Sequence, residues 1–503
     1  MKKIYAIGVG GSGAKGLEAA IFLHTLGIFG DSRLGLLLVD ADAHNGNGQR
    51  TQAHLTDTLN CHRLFKPSAD LGSEFMAGEW EDYGTWNPLG DLTFSSNLRK
   101  IFNRQSLESG NLEPLAKLFD ALYSPDEQEA DLAVGFRGRP PIGSAVMSRL
   151  ELETTSTTTL SDNWQRLFNH IEGDLDAKDE VAIHLFGSIF GGTGASGVPT
   201  LATLIANQLK GKNLRQRVHL NASLFLPYFG FESPNQEQEK VFAETRFFAL
   251  NTQAALQYLT EHSPGVFDTV YLMGNQERKS YESSTGGTDQ KNEAHFVELY
   301  GALAINHGFE QAIGQTKAAY ISRGNADQLL WQDLPNSDQI KKRLSKGVRF
   351  AYSWYYNFAP ELIVAKKLGV KKFAKGAPWF PVFFTLNKEG EMNFPSLLDE
   401  AQVKQAEVLE KWTKIFLIWA SQVAQSHRQG EQLFRLKEGL KQVESSTEKR
   451  PYGEHLSDLI IDGVKSAKDK SRDRLDTYKN ELADQGKLGQ GVFGLAHELF
   501  RLL

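Results

Sequence analysis

One cysteine, Cys61, stands in a chain of 503 residues. That excludes an intramolecular disulfide and suits a reducing compartment. The neighbouring His62 does not make Cys61 a metal site, because no second ligand pair follows at zinc-like spacing. No uninterrupted apolar run approaches the roughly 20 residues that a membrane span needs. Met1-Lys2-Lys3 followed by Ile4–Val9 is too short and too glycine-interrupted for a secretory signal. A cytoplasmic protein is expected. Long basic runs are also missing, and the net charge is −6. Both argue against a nucleic-acid partner. No H-E-x-x-H and no G-x-S-x-G occurs, so a metalloprotease and a serine hydrolase find no support. The thirteen histidines are scattered. No internal repeat or low-complexity tract is visible.

What remains is an ordinary globular composition, with 41% hydrophobic and 23% charged residues. The length allows two or three domains and a large core. Ile4–Val9 and Leu34–Val39 read as buried strands, and Ala14–Leu26 between them reads as a helix. That is a βαβ unit, which predicts an α/β fold with a doubly wound parallel sheet. Val181–Leu185, Val218–Leu226 and Phe267–Met273 extend the strand series. Residues 236–261 and 292–307 read as helices. Residues 43–134, with helices expected at Asn97–Leu107 and Glu113–Leu122, exceed a simple connection and read as an insertion. Tyr281–Asp289 reads as a loop rich in Ser, Thr and Gly. Beyond about 340 the pattern is largely helical, with long helices expected at Ser396–Ser426 and Glu454–Leu482. The organisation expected is 1–310, then 311–395, then a helical 396–503.

The most informative stretch is Phe186–Gly197, FGSIFGGTGASG. It lies between an apolar strand and a helix-like run from Val198. Strand, glycine loop and helix together present free N–H groups and a partial positive charge to a phosphate. Gly191, Gly192 and Gly194 leave no Cβ in the way, and Thr193 and Ser196 supply hydroxyls around Ala195. No Gly-Lys-Ser/Thr follows, so this is not a P-loop. A second loop, Gly8-Val9-Gly10-Gly11-Ser12-Gly13, follows the first strand, and Asp40 closes the next one. Alone, that pair also fits a dinucleotide-binding Rossmann unit. Asp40 and Asp42 lie two residues apart at a strand end. They can hold Mg²⁺ or approach a ribose, or Asp40 can cap a turn.

The second glycine loop resembles the GGGTGSG-type signature of the tubulin/FtsZ superfamily, over roughly residues 1–310. Ile7–Gly13 resembles the family's IGVGGGG-type first loop, with Ser12 in place of a smaller residue. Val39–His44 stands where the family often has N-T-D-A-Q. The resemblance implies a GTP/GDP site with Mg²⁺. It places phosphates on Gly10, Gly11, Ser12, Gly13 and on Gly191–Ser196. Gly138-Arg139-Pro140-Pro141-Ile142-Gly143 resembles the loop that senses the terminal phosphate. There Arg139 either pairs with that phosphate or makes a surface salt bridge. Asn251 and Asn292 stand where the family contacts the guanine, and Asn292 also suits a helix N-cap. Glu244 either reaches the ribose or is a solvated helix residue. The hydrolytic N-x-D-x-x-D loop of the family is missing. Glu310 and Asp333 are the nearby acids that could serve. The chain thus resembles a divergent bacterial member, and slow hydrolysis is expected. Its implied partners are further copies in an oligomer or filament, or other proteins in a bacterial stress or defence assembly. The stripe Val492, Phe493, Ala496, Leu499, Phe500 and Leu503 either packs on its own domain or docks on a partner, beyond a hinge at 489–491.

Overall fold

The computed structural model describes the chain apart from residues 69–72, 91–96, 109, 149–161, 233–242, 263–264, 276–277, 282–286, 314–318, 322–336, 388, 392, 427–435, 437–455 and 460–473. The chain is an α/β protein with a parallel sheet and a helical C-terminal region. The strands are β1 (Lys2–Val9), β2 (Ser32–Val39), β3 (Glu79–Trp86), β4 (Glu180–Ser188), β5 (Val218–Phe225), β6 (Phe229–Phe231), β7 (Thr269–Met273), β8 (Lys279–Tyr281) and β9 (Ala319–Ile321). Seven of them form one sheet in the order β3-β2-β1-β4-β5-β7-β9, and β6 pairs with β8. Every described pairing between these strands is parallel.

Alternation sends successive side chains to opposite faces. Ile4 and Ala6 of β1 enter one core, while Tyr5, Ile7 and Val9 enter the other. Both faces are therefore buried, which is why these strands read as continuous apolar runs. One face is covered by Asp162–Asp176, Gly192–Gly211 and Thr245–His262. The other carries α1 (Gly10–Thr25), α2 (Gly46–Phe65) and a central helix, Phe296–Gly308. On that side the core runs on into the C-terminal helices Ser337–Ser353, Glu400–Gln425 and Gly491–Leu502. Phe22 of α1 lies 5.5 Å from Phe416 and 5.0 Å from Trp419, ring centre to ring centre.

Two expectations are corrected. Residues 43–134 are not simply an insertion, because α2 packs on α1 and β3 pairs with β2 as part of the sheet. At 489–491 the chain makes a packed turn rather than a hinge. Gly489, Gln490 and Gly491 all have positive φ. The Gly489 N–H donates to Val382 O, and the Val492 N–H donates to Gln402 Oε1. Val492, Leu495, Ala496, Leu499 and Phe500 are buried, so the stripe packs on its own chain. The expected helix over 454–482 lies partly outside the described residues; Leu456–Leu459 and Leu475–Asp484 are helical.

Strand order reverses between β1 and β4. To one side lie β2 and β3, and to the other β5 and β7. The loops leaving the C-terminal ends of β1 and β4 thus diverge from one crevice, which is where open α/β sheets hold ligands.

Candidate functional site

Two helices begin at that crevice, α1 from β1 and Gly192–Gly211 from β4. Neither has a side chain capping its N-terminus. The first-turn N–H groups that a Ser, Asp or Asn would otherwise engage are left for a ligand. Glycine is required at several points here. Gly10 has φ +73°, and a Cβ there would lie 3.0 Å from Thr193 Cβ, so the two loops touch. A Cβ on Gly194 would fall 2.4 Å from Ser188 O, and one on Gly192 would fall 2.9 Å from Phe136 Cβ. The loops enclose a cavity of about 80 Å³.

Of the residues expected at this site, Gly10, Gly11, Ser12, Asp40, Asp42, Gly138, Gly191, Gly192, Thr193 and Gly194 line the cavity. Gly13, Gly143, Ala195 and Ser196 do not. Gly13 serves close packing, since a Cβ there would sit 2.5 Å from Phe186 O. Gly143 admits Ser196, whose hydroxyl donates to Gly192 O at 2.8 Å inside its own helix.

Asp40 is 3% exposed. Its Oδ1 accepts from the Asp42 N–H at 3.1 Å, and its Oδ2 has no partner. Burial, with a smaller contribution from the Asp42 charge, pushes its pKa up to about 8. Asp42 is different, because both its oxygens accept backbone N–H groups, from His44 at 2.9 Å and Gly287 at 2.6 Å. Among the described residues no cluster of three or more His, Cys, Asp or Glu could hold a metal. The orphan oxygen of Asp40 nevertheless fits Mg²⁺, which commonly takes one or two carboxylates and completes its shell with waters and phosphates.

Other expected residues take structural places. Arg139 does not line the cavity. It pairs with Glu244 at 3.4 Å and lies over the Phe247 ring. Asn251 donates to Gly138 O at 3.1 Å and to Phe190 O at 3.0 Å, tying two cavity loops together from outside. Asn292 is buried in a reciprocal clasp with Asn47. The N-cap of the central helix is His295, in a capping box with Glu298. Glu310 lies beyond the far end of that helix and is exposed. Asp333 lies outside the described residues.

The sequence reading missed an aromatic wall of Phe136, Phe190, Phe229, Phe231 and Phe248. The alternation Phe229-Gly230-Phe231 just after β5 was the available signal. It also missed a strap, residues 287–292, drawn across the rim. Besides the Gly287 bond to Asp42, Asn45 donates to Gln290 Oε1 at 3.0 Å, and the Asn47 N–H donates to Gln290 O at 3.1 Å. Beneath the first loop Lys15 is buried in an ion pair with Glu298, and Tyr228 donates to the same carboxylate. This joins α1 to the central helix.

No protein-family model matches the chain, and no curated protein matches it in sequence. Among solved structures the chain is similar to CetZ1 from Haloferax volcanii, a GDP-bound monomer, at 15% identity and a TM-score of 0.26. That match covers 58% of this chain and little more than half, 56%, of CetZ1. A second similar structure is the TubZ protein of Clostridium botulinum phage c-st, with its C-terminal tail truncated. It shows 10% identity and a TM-score of 0.26, over 67% of this chain and 74% of that one. Both overlaps are too loose to say what the cavity holds. No helix among the described residues is long and apolar enough to cross a membrane.

Proposed function

We propose that the chain is a tubulin/FtsZ-like protein that binds GTP or GDP with Mg²⁺. One observation carries the reading: two long helices with uncapped N-termini converge on one cavity at the sheet's switch point. That arrangement suits the phosphate end of a nucleotide from two sides. At about 80 Å³ the cavity is smaller than the roughly 300–1,000 Å³ of small-molecule pockets. It takes phosphates as it stands, and the nucleoside requires the strap at 287–292 to yield. Asp40 would hold Mg²⁺, losing its proton as the metal arrives. The metal would neutralise phosphate charge. Guanine as the base rests on the resemblance of the two glycine loops. Nucleotide state would govern self-assembly, or assembly with partner proteins in a non-polymerising scaffold.

A Rossmann dinucleotide protein is the second reading. It is favoured by Asp40, whose place at the end of β2 is where such proteins hold a ribose. Releasing any nucleotide carried through purification and identifying it by chromatography separates the two. Guanine nucleotide supports the first reading, and NAD or NADP overturns it.

A further inference from the structure

Behind the loops of the phosphate cavity lies a larger one, of about 490 Å³. Its walls are the helix Pro140–Met147, the first half of the helix Gly192–Gly211 and the middle of the helix Thr245–His262. Leu224 of β5 and Ile189, just past β4, join them. The volume falls within the roughly 300–1,000 Å³ of small-molecule sites.

The lining is chiefly apolar, with Leu204, Ala254, Ala255 and Leu259 beside Pro140 and Pro141. Among the described residues no charged side chain lines it. An ion entering would lose its water and gain no partner. The lining hydroxyls are taken or exposed. Thr200 donates to Ser196 O at 2.8 Å, Thr203 to Pro199 O at 2.9 Å and Ser148 to Ala145 O at 2.8 Å. Ser196 is held by Gly192 O, and Ser144 and Tyr258 are exposed. One buried acceptor is left over. Pro199 stands inside the helix Gly192–Gly211. Its nitrogen carries no hydrogen, so Ala195 O, four residues back, lacks its helical donor. Ala195 is 8% exposed, and both it and Pro199 line the cavity.

The two cavities share a wall. Gly138, Phe190 and Gly194 line the phosphate side, and Pro140, Ile189 and Ala195 line the apolar side. Asn251, on the apolar side, donates to Gly138 O and Phe190 O through that wall. We infer that the larger cavity is a second, regulatory site, for an uncharged and largely apolar small molecule with one hydrogen-bond donor. The donor meets Ala195 O, and the apolar body fills the space between the three helices. A molecule seated there packs against Ile189 and Asn251 and steadies the loops of the phosphate cavity from behind.

Fluorescence titration of the full chain with 2-phenylindole, which is neutral and carries one N–H, tests this. Wild type is expected to bind it with a Kd below about 1 mM. The N-methyl analogue should bind about two- to tenfold more weakly, having lost the donor. Pro199→Ala gives Ala195 O its helical donor. Loss of the proline ring touches both probes alike, so their affinities should become equal. Ala255→Trp should fill the cavity and abolish binding of both, with circular dichroism matching wild type. Hydrogen exchange followed by mass spectrometry reads the coupling. Bound 2-phenylindole should slow exchange at Phe136–Arg139 and Gly191–Gly194 at least twofold. Failure of 2-phenylindole to bind, binding untouched by Ala255→Trp, or a probe preference that survives Pro199→Ala overturns the site. Binding that leaves exchange in those two loops unchanged overturns its regulatory role.

Discussion

Asp40 holds a carboxylic acid where most aspartates hold a carboxylate. Its pKa rises to about 8 from an ordinary 3.8, chiefly because burial disfavours the charged form. The folded state therefore keeps a proton that the unfolded chain sheds. The stability Asp40 contributes is fully present below about pH 4 and is lost as pH rises to about 8, with a slope of up to about 1.4 kcal/mol per pH unit. Asp40→Asn should flatten that part of the profile, as urea melts from pH 4 to 9 would show. An unchanged slope would mean that Asp40 is ionised when folded. Gly192 makes a second prediction at this scale. In Gly192→Ala the new methyl would press on Phe136 and on the Gly138 N–H, at 2.9 and 3.1 Å. Losing one charge-assisted hydrogen bond weakens nucleotide binding about ten- to a hundredfold. Equilibrium titration checks it, and affinity equal to wild type would remove Gly192 from the site. Glycines of this kind are legible in a sequence because a side chain there would collide with the facing loop, as at Gly192 against Phe136. Arg139 and Asn251 were not, since which way a side chain leaves its element depends on packing that spacing does not encode.

Elements were legible where burial was two-sided. β1, β2, β4 and β5 read as strands because both sheet faces are covered. β3, Glu79–Trp86, escaped because it is an edge strand with few buried positions, and edges carry charge to avoid further pairing. The turn at 489–491 looked like a flexible link because glycine serves both flexible links and tight left-handed turns. In the fold it locks the helix Gly491–Leu502 onto the core. Leu499→Ala should therefore cost about 2–5 kcal/mol, a core truncation rather than a surface change. Thermal and denaturant melts measure it. A loss below about 0.5 kcal/mol would return the helix to the role of a detachable arm.

At the scale of the whole molecule, the phosphate cavity and the acid at Glu310 lie off opposite ends of the central helix. A water at the phosphate has no acid from the far end of its own chain to orient it. Isolated chains should hydrolyse GTP slowly, below about 0.01 s⁻¹, the scale of unassisted GTPases. Phosphate release followed over rising protein concentration checks this, and fast turnover at nanomolar protein would contradict it. The most direct test of the central claim is isothermal titration of the chain with GDP, GTP, ATP and NAD in Mg²⁺, on wild type and Gly192→Ala. The guanine nucleotides should bind in preference to ATP and NAD, and that binding should be lost or strongly weakened in the variant. Tighter binding of NAD or ATP, or guanine binding untouched by Gly192→Ala, would contradict it.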